Sequence, residues 1–391
     1  MIDTFFLENN LKELESQAML RGLRPLHSAQ SREIIIDGKK VLNFCSNNYL
    51  GLADDGRIID AAKKALDKRG FGAGASRLVC GSTDEHHKLE EKIAKMKKTQ
   101  AALVFSSGYM ANTGIIPALF DREDIVFSDR LNHASIIDGI LLSRAELKRY
   151  AHNDMQSLEG ALQNSTGFKK RLIVTDTVFS MDGDTALLKE ILNLAKRYEA
   201  YVMVDEAHAF GIFGNSGAGL VEQEGLSDQV DIQMGTFSKA AGCFGAYVAG
   251  SKVLCDYLVN HARSFIYTTA MPPALAAAAS MAIDIIQEDD KRRKQVLENA
   301  HYIRSGLKAL GFDTMSSTTP IIPVGLKDPA QALKVSKYLF EQGIFVQAIR
   351  PPTVPVNTAR LRVTVMATHT QEDLDKFLNC MKLVTGTSAC H

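Results

Sequence analysis

From Arg57 to Gly250 the sequence alternates between two periodicities, and that alternation restricts the possible folds more than any other feature. Helical stretches such as RIIDAAKKALDKR and HHKLEEKIAKMKK give way to short apolar runs: AALVFSS at 101–107, DIVFSD at 124–129, RLIVTDTVF at 171–179, YVMVDEAH at 201–208, DIQMGTF at 231–237 and GAYVAG at 245–250. Short, nearly continuous apolar runs between helices predict an α/β domain whose largely parallel sheet is buried on both faces.

The ends of the chain read differently. MIDTFFLENNLKELESQ predicts an amphipathic helix, and REIIIDGKKVLNF at 32–44 predicts a hairpin through Asp37-Gly38, a pair that tolerates the positive φ of a two-residue turn. After the charged run QEDDKRRK at 287–294 come a long helical stretch, then IIPVGL, ALKVSKYLFEQG, IFVQAI and RLRVTVM, the pattern of a smaller α+β domain. The expected division is therefore an N-terminal helix and hairpin segment at 1–45, a large α/β domain at 46–286 and a small C-terminal domain at 287–391.

Bulk properties exclude several functions. Lys plus Arg and Asp plus Glu both number 45, so no net field gathers nucleic acid or an anionic membrane. The cysteines at 45, 80, 243, 255, 380 and 390 are scattered, without a Cys-x-x-Cys pair, which suits a reducing, cytoplasmic setting. The most apolar window, PPALAAAASMAIDII at 272–286, falls short of the roughly 20 residues a membrane span needs. A soluble protein is expected.

Asp205-Glu206-Ala207-His208 spells the acidic box of helicases, but nucleotide hydrolysis also needs a Gly-x-x-x-x-Gly-Lys-Ser/Thr phosphate loop, which the sequence lacks. The cluster Gly70, Gly72, Gly74 follows a helix rather than a strand, which removes a dinucleotide site as well. Asp205 and His208 instead stand just past a strand's carboxyl end, where open α/β sheets bind ligands.

Thirty-four residues on, GTFSKAAGCFG places Lys239 between a predicted strand and a glycine-rich turn. An isolated lysine there is ordinarily a half-exposed loop residue, because burying an ammonium is costly. Its company changes that expectation. A pyridoxal phosphate site needs an amine for a Schiff base, a carboxylate for the pyridine nitrogen, a group near the phenolic oxygen and an anion cradle. Lys239, Asp205 and His208 supply the first three. FSSGYMAN at 105–112 supplies the fourth, a strand turning through Gly108 into a helix whose first N–H groups attract anions, with Thr236 and Ser238 adding hydroxyls. Taken singly, Asp205, Ser180 and Gly108 are ordinary turn residues and His133 a plausible helix start; their conjunction is the specific signal.

The order HASI, VFSMDGD, VDEAHAFG, TFSKAAG, IYTTAMPPA and IRPPTVPVNTARLRVT resembles the α-oxoamine synthases, pyridoxal-phosphate enzymes of the aspartate-aminotransferase fold (fold type I). The resemblance runs from Arg21 to the last predicted strand. It implies Lys239 as the cofactor-bearing lysine, Asp205 as the pyridinium partner and His208 and Ser180 as hydrogen-bond partners of the cofactor. It further implies Thr236, Gly108 and Tyr109 at the phosphate and His133 stacked on the ring, with a share in catalysis. Arg21, His133, Thr353 and Arg362 match substrate-binding positions, Arg362 for the amino-acid carboxylate, and Thr268 and Thr269 match residues that reach a partner subunit's phosphate. RYAHND and AIRPPTVP point to the branch that condenses L-alanine with a pimeloyl thioester, on CoA or an acyl carrier protein, in biotin biosynthesis, as a homodimer with a shared site. Branches that condense glycine, the 2-amino-3-oxobutyrate ligases and 5-aminolevulinate synthases, are the alternative. Ala209 and Phe237-Ser238 depart from the family's common residues and bear on fine geometry beside the cofactor.

Overall fold

A computed structural model describes residues 4–386; Cys390 and the rest of the C-terminal tail lie outside the described residues. In chain order its strands are β1 Glu33–Ile36, β2 Lys39–Asn43, β3 Ala101–Phe105, β4 Ile125–Asp129, β5 Glu146–Tyr150, β6 Arg171–Asp176, β7 Tyr201–Asp205, β8 Ile232–Thr236, β9 Ala246–Gly250, β10 Ile321–Lys327, β11 Ile344–Phe345, β12 Gln347–Ile349 and β13 Ala359–Thr364. The chain divides into two compact units. The larger comprises Asn47–Ser180 and Asp184–Lys294; the smaller comprises, of the described residues, those up to Ser46, Met181–Gly183 and those from Gln295 onward.

The larger unit is built on a seven-stranded sheet of order β3-β9-β8-β7-β6-β4-β5. The pairs β4–β5, β4–β6, β6–β7 and β7–β8 are parallel, and β9 runs antiparallel to both its neighbours. Every residue of β4, β8 and β9 is buried, as expected of apolar runs covered on both faces. The polar strand β5 escapes that pattern: it forms one edge of the sheet, opposite β3, and its charged residues discourage further pairing. Of the helices, α1 is Thr4–Ser16, α2 Gly56–Arg69, α3 Asp84–Lys97, α4 Gly108–Leu119 and α5 Ala134–Ser143. One face of the sheet packs with α4 and α5 through Phe105, Ile115, Val126, Ile136, Met203 and Val248. At Gly139 of α5 a β-carbon would fall 2.6 Å from the Asn112 carbonyl oxygen, so only glycine lets α5 lie this close to α4.

In the smaller unit, Asp37 (φ 51°) and Gly38 (φ 72°) make the expected two-residue turn between β1 and β2. Strand β2 continues in parallel to β11, pairing Leu42 with Ile344, while β10, β13 and β12 form a separate antiparallel sheet. The segment IFVQAI is broken into β11 and β12 at Val346. The N-terminal helix forms as expected, and none of its residues is buried. Among the described residues, no helix is long and apolar enough to cross a membrane.

Candidate active site

The parallel strands deliver their last residues to one end of the sheet, and the loops that follow carry the side chains singled out in the sequence. A cavity of about 190 Å³ opens there, lined by Gly108 and Tyr109 after β3, His133 and Ser135 after β4, Asp176 and Ser180 from β6 and its loop, Asp205, Ala207 and His208 from β7, and Met234, Thr236, Ser238 and Lys239 from β8. Lys239, Asp205, His208, His133, Ser180, Thr236, Gly108 and Tyr109 thus share one cavity. A larger hollow of about 620 Å³ near the starts of β7 and β8, lined by Leu119, Phe120, Tyr201 and Tyr257 among others, brings together none of them.

Asp205 is held from both sides. Its Oδ1 accepts the Ala207 N–H at 2.9 Å, and its Oδ2 accepts the amide of Asn112, one turn into α4, at 3.0 Å. Asn112 also donates to the Ser135 hydroxyl at 2.9 Å. His208 is fixed by the buried Tyr49, whose hydroxyl lies 2.8 Å from its Nδ1. His133 caps α5: its Nδ1 accepts from the Ser135 N–H at 3.3 Å, which leaves the ring proton on Nε2. Burial pulls the His133 pKa below the usual histidine range; the Asp205 carboxylate opposes this and the Lys239 ammonium adds to it. The ring is therefore neutral at pH 7. Its backbone N–H donates to Asp176 Oδ2 at 2.8 Å. Burial, reinforced by the neighbouring Asp205 charge, drives the Asp176 carboxyl well above the ordinary carboxylate range.

At the other wall, Ser107 caps α4 by accepting from the Met110 N–H at 3.2 Å. The first N–H groups of a helix have no acceptor within it, so those of Gly108 and Tyr109 are available to an anion. A β-carbon added at Gly108 would meet only Thr236 Cβ, at 3.9 Å, so the missing side chain leaves room for a ligand rather than for protein. The Tyr109 hydroxyl is turned to Asp138. Thr236 accepts the Ser238 N–H at 3.2 Å and lies 2.7 Å from the Gly245 carbonyl to which it donates.

Three substrate candidates lie elsewhere in the chain. Arg21, Thr353 and Arg362 belong to the smaller unit, where Arg21 Nη2 donates to Thr353 Oγ1 at 2.8 Å and Arg362 is buried in β13. Thr268 and Thr269 follow the helix Arg263–Ile266 and do not line the cavity. Asn112, Ser135, Tyr49 and Asp176 are supporting residues that the sequence reading passed over. FSSGYMAN contained Asn112 and HASI contained Ser135, but only the close crossing of α4 and α5 reveals that they meet.

An amine, a carboxylate, an imidazole and a helix N-terminus around one cavity fit pyridoxal phosphate. The aminotransferase class I and II family model matches residues 39–380. The chain belongs to that family, as one of its α-oxoamine synthases, and its cofactor is pyridoxal phosphate. Among its relatives, the 8-amino-7-oxononanoate synthase of Geotalea daltonii is 50% identical, over 97% of this chain and 98% of the relative. The enzyme of that name from Citrifermentans bemidjiense is 51% identical over 94% of each chain. Among solved structures, serine palmitoyltransferase of S. paucimobilis with a bound PLP-myriocin aldimine superposes with TM-score 0.93 at 34% identity, covering 99% of this chain and 98% of that one. The 8-amino-7-oxononanoate synthase of Francisella tularensis gives 0.77 at 30% identity, covering 88% and 97%.

Proposed function

We propose that the chain condenses L-alanine with a pimeloyl thioester, giving 8-amino-7-oxononanoate, carbon dioxide and free thiol, within biotin biosynthesis. The alanine α-carbon loses its proton and bonds to the thioester carbonyl carbon, the thiolate leaves, the carboxyl group departs as carbon dioxide, and the α-carbon takes up a proton in its place. What carries the reading is the convergence of Lys239, Asp205 and His208 on one cavity, in a chain half identical over nearly its whole length to synthases of that name. Backbone likeness to a serine palmitoyltransferase weighs less, because amino-acid and acyl specificity reside in pocket side chains, and one methyl group is worth only about 1–3 kcal/mol.

Pyridoxal phosphate, when bound, supplies an electron sink for the carbanion at the alanine α-carbon. Lys239 would hold the cofactor covalently, and its amine would serve as the base for the alanine α-proton. Asp205 pairs with the pyridine nitrogen and favours its protonated form. The Ala207 N–H and the Asn112 amide fix the carboxylate beforehand, so little reorganisation is needed. His133 offers a flat, uncharged ring to the cofactor's face and an Nε2–H to the substrate carbonyl. His208 and Ser180 hold the phenolic oxygen, and Gly108, Tyr109 and Thr236 hold the phosphate. Arg362 takes the amino-acid carboxylate, with Arg21 and Thr353 toward the acyl chain. The proposal includes a cytoplasmic homodimer with a shared site; the exposed Phe5, Phe71, Val79 and Tyr267 supply apolar surface for a second copy. Alanine, glycine and serine assayed against acyl thioesters of different chain length, by thiol release, test the reading. Preference for alanine with the pimeloyl thioester is expected; preference for glycine with a short acyl group would replace it with a glycine-condensing branch.

A further inference from the structure

His152, two residues past β5, lies between two carboxylates. Its Nδ1 is 3.0 Å from Asp129 Oδ1 and its Nε2 is 2.8 Å from Asp184 Oδ2. A neutral imidazole has a single N–H, so it donates to one carboxylate and turns a lone pair on the other. Between two ionised carboxylates, both contacts are attractive only if the ring is an imidazolium. Burial opposes that charge, yet the hydrogen bonds to Asp129 and Asp184 outweigh it and raise the pKa to about 10. The Phe179 ring meets the imidazole edge-on, at 4.4 Å and 88° between planes, and fixes its orientation. Asn153 reinforces the bridge: its N–H donates to Asp129 Oδ2 at 3.0 Å, and its amide to the Thr185 carbonyl at 3.0 Å.

Each aspartate leads to a wall of the cavity, although His152 does not line it. Asp129 ends β4 and accepts the Leu131 N–H at 2.8 Å, fixing the turn that presents His133. In that turn Asn132 donates to the Val174 carbonyl at 2.8 Å and accepts the Asp176 N–H at 2.9 Å. Asp184 accepts the Phe179 N–H on its backbone carbonyl at 3.0 Å, and Val178 bridges Thr185, so the same short ladder presents Ser180. His152, with Asn153 beside it, therefore ties the loop that carries His133 to the loop that carries Ser180.

We propose that the His152 imidazolium is a positioning residue for the cofactor: by joining Asp129 to Asp184 it sets the spacing of His133 and Ser180, and with it the tilt of the ring held between them. The inference rests on the cavity holding pyridoxal phosphate. In the holoenzyme, His152→Gln can donate to one carboxylate only and presents its carbonyl oxygen to the other. The expected result is a change in the visible circular dichroism of the bound cofactor, weaker cofactor affinity, and a kcat lower by about tenfold to a hundredfold, the scale of a small misplacement. Adding Asp184→Asn restores a complementary donor to that oxygen, so the double variant recovers part of the dichroism and affinity. Unchanged dichroism and affinity in the single variant, or no recovery in the double, overturns the proposal.

Should the variant fail to fold, ring-nitrogen chemical shifts of His152 in the wild-type holoenzyme at pH 8 decide the matter. Asp129 and Asp184 are the charged groups facing the ring, and an imidazolium is expected; a neutral ring overturns the proposal. Failure of the cofactor assignment shows itself separately, as a wild-type protein without a visible cofactor band.

Discussion

In the proposed mechanism Asp205 and Lys239 act on the same ring from different strand ends, so their loss has different expected signatures. On that proposal Lys239→Ala removes both the covalent anchor and the amine that takes the α-proton. No measurable turnover is expected, and borohydride will no longer fix the cofactor to the chain; appreciable thiol release by the purified variant would contradict the role. Asp205→Asn keeps the shape and the acceptor for the Ala207 N–H but removes the charge that stabilises a protonated pyridine nitrogen. A kcat lower by at least about a hundredfold is expected, the usual scale for losing one electrostatic contributor, with cofactor still bound. Near-normal kcat at saturating cofactor is the contrary result. These two residues were legible because each stands in a compact motif at a strand end. Asn112 was not, since it reaches Asp205 across 93 positions and only through the helix contact that Gly139 permits.

At the scale of elements, the acidic box finds its use in Glu206. Glu206 is wholly buried and paired with Lys97, the last residue of α3, whose side chain is 1% exposed. Lys97 also donates to the Ala218 carbonyl at 2.8 Å, and Glu206 Oε1 accepts the Val221 N–H at 3.0 Å. Gly219 (φ 127°) closes the arrangement, since a β-carbon there would fall 2.4 Å from Glu206 Oε1. The pair ties α3 to the turn after β7, between Asp205 and His208, so the motif's second acid serves the scaffold of this cavity. Lys97→Met leaves a buried carboxylate uncompensated, and a loss of about 3–5 kcal/mol in denaturant unfolding is expected; a loss under about 1 kcal/mol would mean water reaches Glu206. Strands β3, β4, β6, β7, β8 and β9 were readable because apolar runs buried on both faces leave little choice of structure. Strand β5, ELKRY, was not, because its mostly exposed, charged residues make no apolar run. Nothing local signals that Leu42 pairs with Ile344, since that ladder joins segments from opposite ends of the chain.

Over the whole molecule, a half-buried histidine and a buried one of opposite character set opposing pH dependences, one in each unit. In the smaller unit His369 accepts the Met366 N–H on Nδ1 at 3.1 Å, donates from Nε2 to the Asn43 carbonyl at 3.1 Å, and stacks on Phe44 at 4.2 Å. That pattern satisfies a neutral ring, and burial lowers its pKa to about 4. Its folded pKa lies below the unfolded value of 6.5, so the unfolded chain binds the extra proton, and its contribution is complete above pH 6.5 and lost as pH falls toward about 4. His152 has the reverse sign. Its folded pKa is about 10 against 6.5 unfolded, so the folded chain holds the extra proton, and its contribution is complete below pH 6.5 and lost as pH rises toward about 10. Other groups titrate too, so the test is a difference between wild type and variant, with cofactor saturating to keep its own linkage constant. The denaturant midpoint of wild type minus that of His152→Gln should be level below pH 6.5 and shrink steadily up to pH 9, while the corresponding difference for His369→Gln should shrink from pH 6.5 down to pH 4.5. A His152 difference that stays level through pH 9 would mean the ring is neutral in the folded chain, and the bridge between Asp129 and Asp184 would then lack the charge that both of its hydrogen bonds require.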